Sequence, residues 1–169
     1  MQMSTEQMWK YPNVALYLHV IKSSVVGNEK VWSAFKEWST LSDEQARECL
    51  TYGTVPILRI ADSIYANGHF SSSQPSYINV GQKYAHAVQT ASEGRAFEHI
   101  KALEAIILHE LCHWGRHLNS EPDEYYYETG KTPKSVGSDV IMVDAKLELD
   151  SGDMFKRKAY SNPWKPHLG

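Results

Sequence analysis

The sequence predicts an α+β fold, mainly helical with a small sheet. Apolar residues recur at helical spacing through several segments, the longest ending near His117-Leu118. Two short β-rich runs, residues 55–61 and 76–81, interrupt those segments in mid-chain. No internal repeat or low-complexity tract breaks the pattern. A chain of 169 residues is expected to form a single domain over 1–169. Its first part, about 1–53, reads as helical, and the mixed part, 54–169, holds the chemistry.

Val14-Ala15-Leu16-Tyr17-Leu18-His19-Val20-Ile21 is a largely apolar run. Met8, Tyr11 and Ala15 carry a helical period behind it, so it reads as a helix that stops at Gly27-Asn28. Val31, Trp32, Phe35 and Trp38 line one side of an amphipathic helix over 29–38. Ser42 with Gln45 makes a capping box, opening a helix that should end near Tyr52-Gly53. Pro56 suits the start of a strand over 55–61, or an edge strand. Asn67-Gly68 signals a turn, and residues 69–75 read as a polar loop or ragged edge. Residues 76–81 alternate as a second strand, and Tyr84, Ala85 and Val88 resume helical spacing over 82–91. Thr90-Ala91-Ser92-Glu93 has a capping-box pattern ahead of the longest helix. Residues 119–137 are poor in aliphatics and read as a long loop, with Tyr125-Tyr126-Tyr127 at most a short strand. Val140-Ile141-Met142-Val143 is apolar, Met154, Phe155 and Tyr160 belong to a last helix, and Asn162-Pro163-Trp164-Lys165-Pro166 is a turn-rich tail.

A net charge of −3 gives no general attraction to nucleic acid. The densest basic run, Lys156-Arg157-Lys158, reads as a solvated helix face. Cys49 and Cys112 make no disulfide framework. Cys112 is expected as a buried free thiol, with a Cys49–Cys112 bridge left open. The first residues, Met1-Gln2-Met3-Ser4-Thr5-Glu6, carry no signal-peptide pattern, and no apolar run is long enough to span a membrane.

The chemistry concentrates in His109-Glu110-Leu111-Cys112-His113, an HExxH run late in the longest helix. Leu103, Ile107, Leu111 and Trp114 give that helix one buried face. His109 and His113 lie one turn apart and point the same way, so both can bind one Zn²⁺. Glu110 sits about 100° round the helix. That places it off the ion but within reach of a water's proton. A catalytic zinc takes three protein ligands. A metzincin would supply the third from a Gly and a His spaced three and six residues after His113. Those positions are Arg116 and Asn119, so that pattern fails. His117 reads as a surface or supporting residue, because a third stacked His diverges from one ion. The third ligand is then sought among the acids from Glu121 to Asp153, Asp123 included. Glu148 and Asp150 stand out because apolar residues interleave them. The reading is a zinc-dependent hydrolase, most simply a peptidase.

At this point the chain resembles the zincin-like metallopeptidase toxins of bacteria, found in polymorphic toxins and type VI secretion effectors. The resemblance rests on three stretches. They are His109-Glu110-Leu111-Cys112-His113-Trp114-Gly115, then Asn67-Gly68-His69-Phe70 with Tyr77-Ile78-Asn79-Val80, and Asp150-Ser151-Gly152-Asp153-Met154-Phe155-Lys156 with Ala159-Tyr160. It covers roughly residues 60–160. In that family the last stretch reads acid-x-Gly-x-x-Phe-Glu followed by Tyr-Gly, and its first acid is the third zinc ligand. Here Asp150 stands for a glutamate, Lys156 for the second Glu, and Ser161 for the Gly. The resemblance implies a zincin-like fold with an active-site helix carrying HExxH. It implies Zn²⁺ on His109, His113 and Asp150, with Glu148 the alternative, and Glu110 as catalytic base. Tyr160 or His117 would be a transition-state donor, and an edge strand near 76–81 would pair with substrate. It further implies a peptide or protein substrate in a target bacterium, a cognate immunity protein, and no nucleic-acid partner. The protein would be secreted without a signal peptide, or be cytoplasmic in its producer. The competing readings are an intracellular zinc peptidase that is no toxin, and a non-catalytic metal-binding interaction module. In the latter Glu110 would have no purpose.

Overall fold

Local capping decides where each helix begins. Ser4 accepts a hydrogen bond from the Gln7 N–H and opens α1 (Thr5–Lys10). Helix α2 (Pro12–Val26) starts on a proline, whose missing N–H costs nothing there. The apolar run at 14–21 is helical as its period predicts, with Val14, Leu18, Ile21 and Val25 buried along one side. Asn28 caps α3 (Glu29–Ser39), which buries Val31, Trp32 and Phe35. The Ser42–Gln45 capping box is present at α4 (Asp43–Cys49). That helix ends before the expected Gly53. The Thr51 and Thr54 hydroxyls take the Arg47 and Glu48 carbonyls and so satisfy the last turn early.

The structure is a computed structural model. It describes residues 1–62, 67–136 and 139–160, with the backbone alone over 127–136 and 139–147. The turn-rich tail at 162–166 and Gly137, the end of the expected loop, lie outside the described residues. The architecture is α+β and mainly helical. A three-stranded sheet has the order β1-β3-β2, from β1 (Ile57–Ala61), β2 (Gly68–Phe70) and β3 (Tyr77–Gly81). Strand β3 runs parallel to β1 and antiparallel to β2.

Two expectations are corrected here. Residues 68–70 are an edge strand, so of the two readings, polar loop or ragged edge, the edge holds there and the turn signal at Gly68 does not. Residues 77–81, expected as the edge strand, are the central one, and β2 is the edge. Ile78 and Val80 are fully buried, which suits a strand paired on both sides.

Helix α5 (Gln82–Thr90) leads to α6 (Glu93–Leu118), the longest element of the described residues. The expected capping box at Thr90–Glu93 does not form. Ser92 is the N-cap residue without a side-chain bond, and the Thr90 hydroxyl donates back to His86 O. The expected long loop at 119–137 is also corrected. Its larger part is β4 (Tyr126–Val136), paired antiparallel with β5 (Asp139–Leu149) in a ladder from Tyr126↔Leu149 to Val136↔Asp139. Helix α7 (Ser151–Tyr160) follows at once. It packs on α3 through an edge-on Phe35–Phe155 contact, ring centroids 6.3 Å apart. The core joins the buried faces of α2, α3, α6 and α7 to Leu58, Ile78 and Val80 of the sheet. No described helix is long and apolar enough to cross a membrane.

Candidate metal centre

Helix α6 is buried over most of its second half, and this fixes its rotation. Leu103, Ile107 and Leu111 have no exposure, and the Trp114 indole N–H donates to Pro75 O at 3.0 Å. That register sends His109 and His113 to one side, with their Nε2 atoms 3.2 Å apart. Asp150 lies at the junction of β5 and α7. It caps α7 by accepting from the Asp153 N–H at 2.8 Å. The cap holds its carboxylate against both rings, Oδ1 3.7 Å from His109 Nε2 and Oδ2 3.6 Å from His113 Nε2. Ligand atoms about 2.0–2.1 Å from a tetrahedral ion stand roughly 3.4 Å from one another. The imidazole pair is near that figure, and one ligand atom from each of the three residues lies within 4.8 Å of the others, so His109, His113 and Asp150 could hold one metal ion. Two imidazoles and one carboxylate are a donor set that suits zinc and leaves a position open. Glu148 is not in this group. It is exposed on β5, in register with Tyr127.

A second layer of side chains surrounds the three. Asp123 Oδ2 is 2.5 Å from His113 Nδ1, and Asp123 Oδ1 accepts from the Ser151 hydroxyl at 2.7 Å. This fixes the His113 ring with Nε2 turned inward. His109 Nδ1 is buried and has no hydrogen-bond partner among the described residues. A nearby carboxylate oxygen, Asp153 Oδ1, is 3.7 Å off and pairs with the Lys156 ammonium at 2.8 Å. Gly152 lies flat against the His109 ring, where a β-carbon would approach closer than 3.0 Å.

Glu110 is buried, its Oε1 3.8 Å from His109 Nε2, and it accepts a hydrogen bond from the Phe70 backbone N–H. Gly68 covers it, again with no room for a β-carbon. Edge strand β2 therefore lies directly over the glutamate of the motif.

The proton affinities follow from these surroundings in the metal-free protein. Burial pushes the Glu110 carboxyl up to about 8. Burial, with the Lys156 charge beside it, lowers His109 to about 4. Burial works against a charged His113, but the Asp123 and Asp150 carboxylates outweigh it and hold that ring at about 10. Burial likewise opposes the Asp150 anion, yet its bond to His113 and the charges of both rings keep it well below the usual carboxylate range. Cys112 is a buried free thiol, as expected, and Cys49 is free as well.

Two of the residues expected here are elsewhere. The Tyr160 hydroxyl donates to Glu104 at 3.2 Å, in a buried cluster that also joins Tyr17, Ser24 and Lys101 to Glu104. It is committed to that carboxylate rather than to the metal group. His117 is exposed and leans on Phe70, ring centroids 5.5 Å apart, beside the neighbouring hollow. Conversely, Asp123 was legible only as one acid among many. Its partner is ten residues away on another element, and no local pattern marks that pairing. The spacing Asp150-x-x-Asp153 did hold a helix-capping signal.

The sequence model of a family described as metallopeptidase toxin 3 matches residues 7–161 of the chain. Nothing matches among curated proteins or among solved structures.

Proposed function

The chain belongs to the metallopeptidase toxin 3 family, and from that premise we propose a zinc-dependent peptidase toxin of zincin-like fold that cleaves peptide bonds with an activated water. The observation that carries this reading is the convergence of His109, His113 and Asp150 within ligand reach of one point, with Glu110 beside them but outside the set. Zinc bound there would acidify a water and polarise the scissile carbonyl.

The remaining steps belong to the chain's own side chains. Asp123 holds the His113 ring so that Nε2 faces the site. Asp150 stays anionic and supplies the third donor. Glu110 takes the proton of the attacking water at its carboxylate and passes it to the leaving amine. Burial raises its proton affinity in the metal-free protein, and a zinc ion beside it would lower that affinity and leave the carboxylate able to accept. Substrate backbone adds to the exposed edge of β2, which borders the cavity, and not to the central strand β3. In the full reading the target is a protein or peptide of a competing bacterium, and the producer is protected by an immunity protein.

The decisive experiment is Glu110→Ala. It should keep zinc near one equivalent and abolish cleavage, and retained cleavage would sink the mechanism. His109→Ala should lose the metal itself. The toxin role is tested by expression directed to the periplasm or cytoplasm of a susceptible bacterium. The wild-type chain should stop growth and Glu110→Ala should not; harmlessness of both would leave a peptidase without a toxin's action.

A further inference from the structure

The metal group lies in the middle of a cleft, not at its end. A central hollow of about 310 Å³ lies between β2 and α6. On the side of Ile106 it shares His109 and Glu110 with a second hollow of about 240 Å³. On the opposite side it shares Phe70 and His113 with a third of about 330 Å³. The two ends differ in lining. Glu121, Asp123 and His117 border the third hollow. Asn67, Ile106, Asp153 and Lys156 border the second.

Helix α7 explains the cation. Asp150, Asp153 and Lys156 follow one another at three-residue spacing and so lie along one stripe of that helix. The stripe delivers in turn a metal-facing carboxylate, the acid behind His109, and an ammonium group at the cleft. Among the described residues Asp153 is the one ion-pair partner of Lys156, at 2.8 Å, and an ammonium carries three donors. The other strong cation of the cleft borders the third hollow, at the opposite end. Arg116 is buried, and its guanidinium bonds Pro122 O and Glu124, each at 2.8 Å.

We propose that Lys156 is a specificity-determining residue, which selects peptides carrying a carboxylate on the Ile106 side of the scissile bond. This rests on the peptidase reading above and names its substrate class. The hollow there, about 240 Å³, has room for a side chain or a chain end. The carboxylate is either a chain terminus or an Asp or Glu side chain.

The test uses zinc-loaded protein and matched peptide pairs, one arm Glu against Gln in the side chain, the other a free against an amidated C-terminus. Cleavage should favour the carboxylate-bearing member of one arm by about tenfold in kcat/KM, less at high salt. Lys156→Gln should erase the preference with zinc content unchanged, Lys156→Arg should keep it, and Lys156→Glu should turn it toward Lys-bearing peptides. A preference that survives in Lys156→Gln, or none in the wild-type protein, overturns the assignment. The same pairs titrated calorimetrically into zinc-loaded Glu110→Gln read recognition without turnover. Selective binding with no cleavage by the wild-type protein would sink the peptidase reading alone. Cleavage without selectivity would sink the role of Lys156 alone.

Discussion

Glu110 and Asp150 face the same small space, yet their proton affinities move in opposite directions. Glu110 comes from α6 and is buried with a single backbone N–H to hold it, so burial wins and the carboxyl is raised to about 8. Asp150 comes from the opposite wall, where the His113 bond, both imidazoles and the Asp153 N–H outweigh its burial and hold it low. The difference suits the two roles proposed for them. A carboxylate that stays charged when half-buried is suited to remain on a metal. One that gains a proton readily is suited to move protons. The same contrast separates the walls. On α6 one helical register positions three residues through a packed core. On the other wall Asp123, Asp150, Asp153 and Lys156 come from a loop, a strand end and a helix, set by hydrogen bonds to one another and to the rings.

The sharpest way to break this comparison is to remove the low-affinity carboxylate. Asp150→Ala should weaken zinc binding by more than about a hundredfold, exceeding the loss typical of an outer-layer substitution, and cleavage should go with it. Glu148→Ala should leave both unchanged, because Glu148 is exposed and outside the group. Metal analysis after dialysis reads the difference. Stoichiometric zinc in Asp150→Ala would remove the opposite wall from the site.

Next come the two glycines that let each wall approach. A β-carbon at Gly68 would strike the Glu110 carboxylate, and one at Gly152 would strike the His109 ring. Gly68→Ala should therefore keep zinc and lower kcat by roughly a hundredfold or more, the scale of a displaced general base. Gly152→Ala should instead weaken the metal, because it moves a ligand. The two variants together separate proton transfer from metal holding. Identical defects in both would show that the walls do not divide the work.

The walls were not equally legible in the sequence. Helix α6 could be read to its last residue, because a 3.6-residue period and the spacing of His109 and His113 are local properties. The three-residue strand β2 was legible only as a ragged edge or by resemblance, since Gly68-His69-Phe70 carries almost no pattern of its own and becomes a strand only by pairing with β3. The β4–β5 ribbon was missed for a related reason. Its stretch is rich in polar residues, and its ladder joins positions far apart in the chain, where a reading of periods along the sequence sees a loop. Asp150 was within reach through its place in a motif, whereas Asp123 became visible only as the partner of a folded histidine.

That partnership sets the third effect. Asp123→Asn keeps the shape but removes the anion from His113 Nδ1, and it should weaken zinc by about ten- to a hundredfold. Competition with a chelator measures it. Asp123→Ala should do no less, and an unchanged affinity in both would mean that α6 orients its own histidines.

The smallest expected effect concerns stability and tests the contrast at Glu110 itself. Its folded affinity is raised from 4.5 to about 8, so the folded, metal-free chain holds a proton that the unfolded chain releases. That stabilisation is complete below about 4.5 and is lost as pH rises through about 8. Glu110→Gln cannot lose it. The thermal midpoint of the variant should therefore gain on the wild-type protein by roughly ten degrees between pH 5 and pH 8, with zinc removed. With zinc restored the gain should shrink, because a cation beside Glu110 favours its charged form and lowers its proton affinity. A gain indifferent to zinc would place the metal away from Glu110. A difference between the two proteins that stays flat across that pH range would mean that burial does not govern this carboxyl.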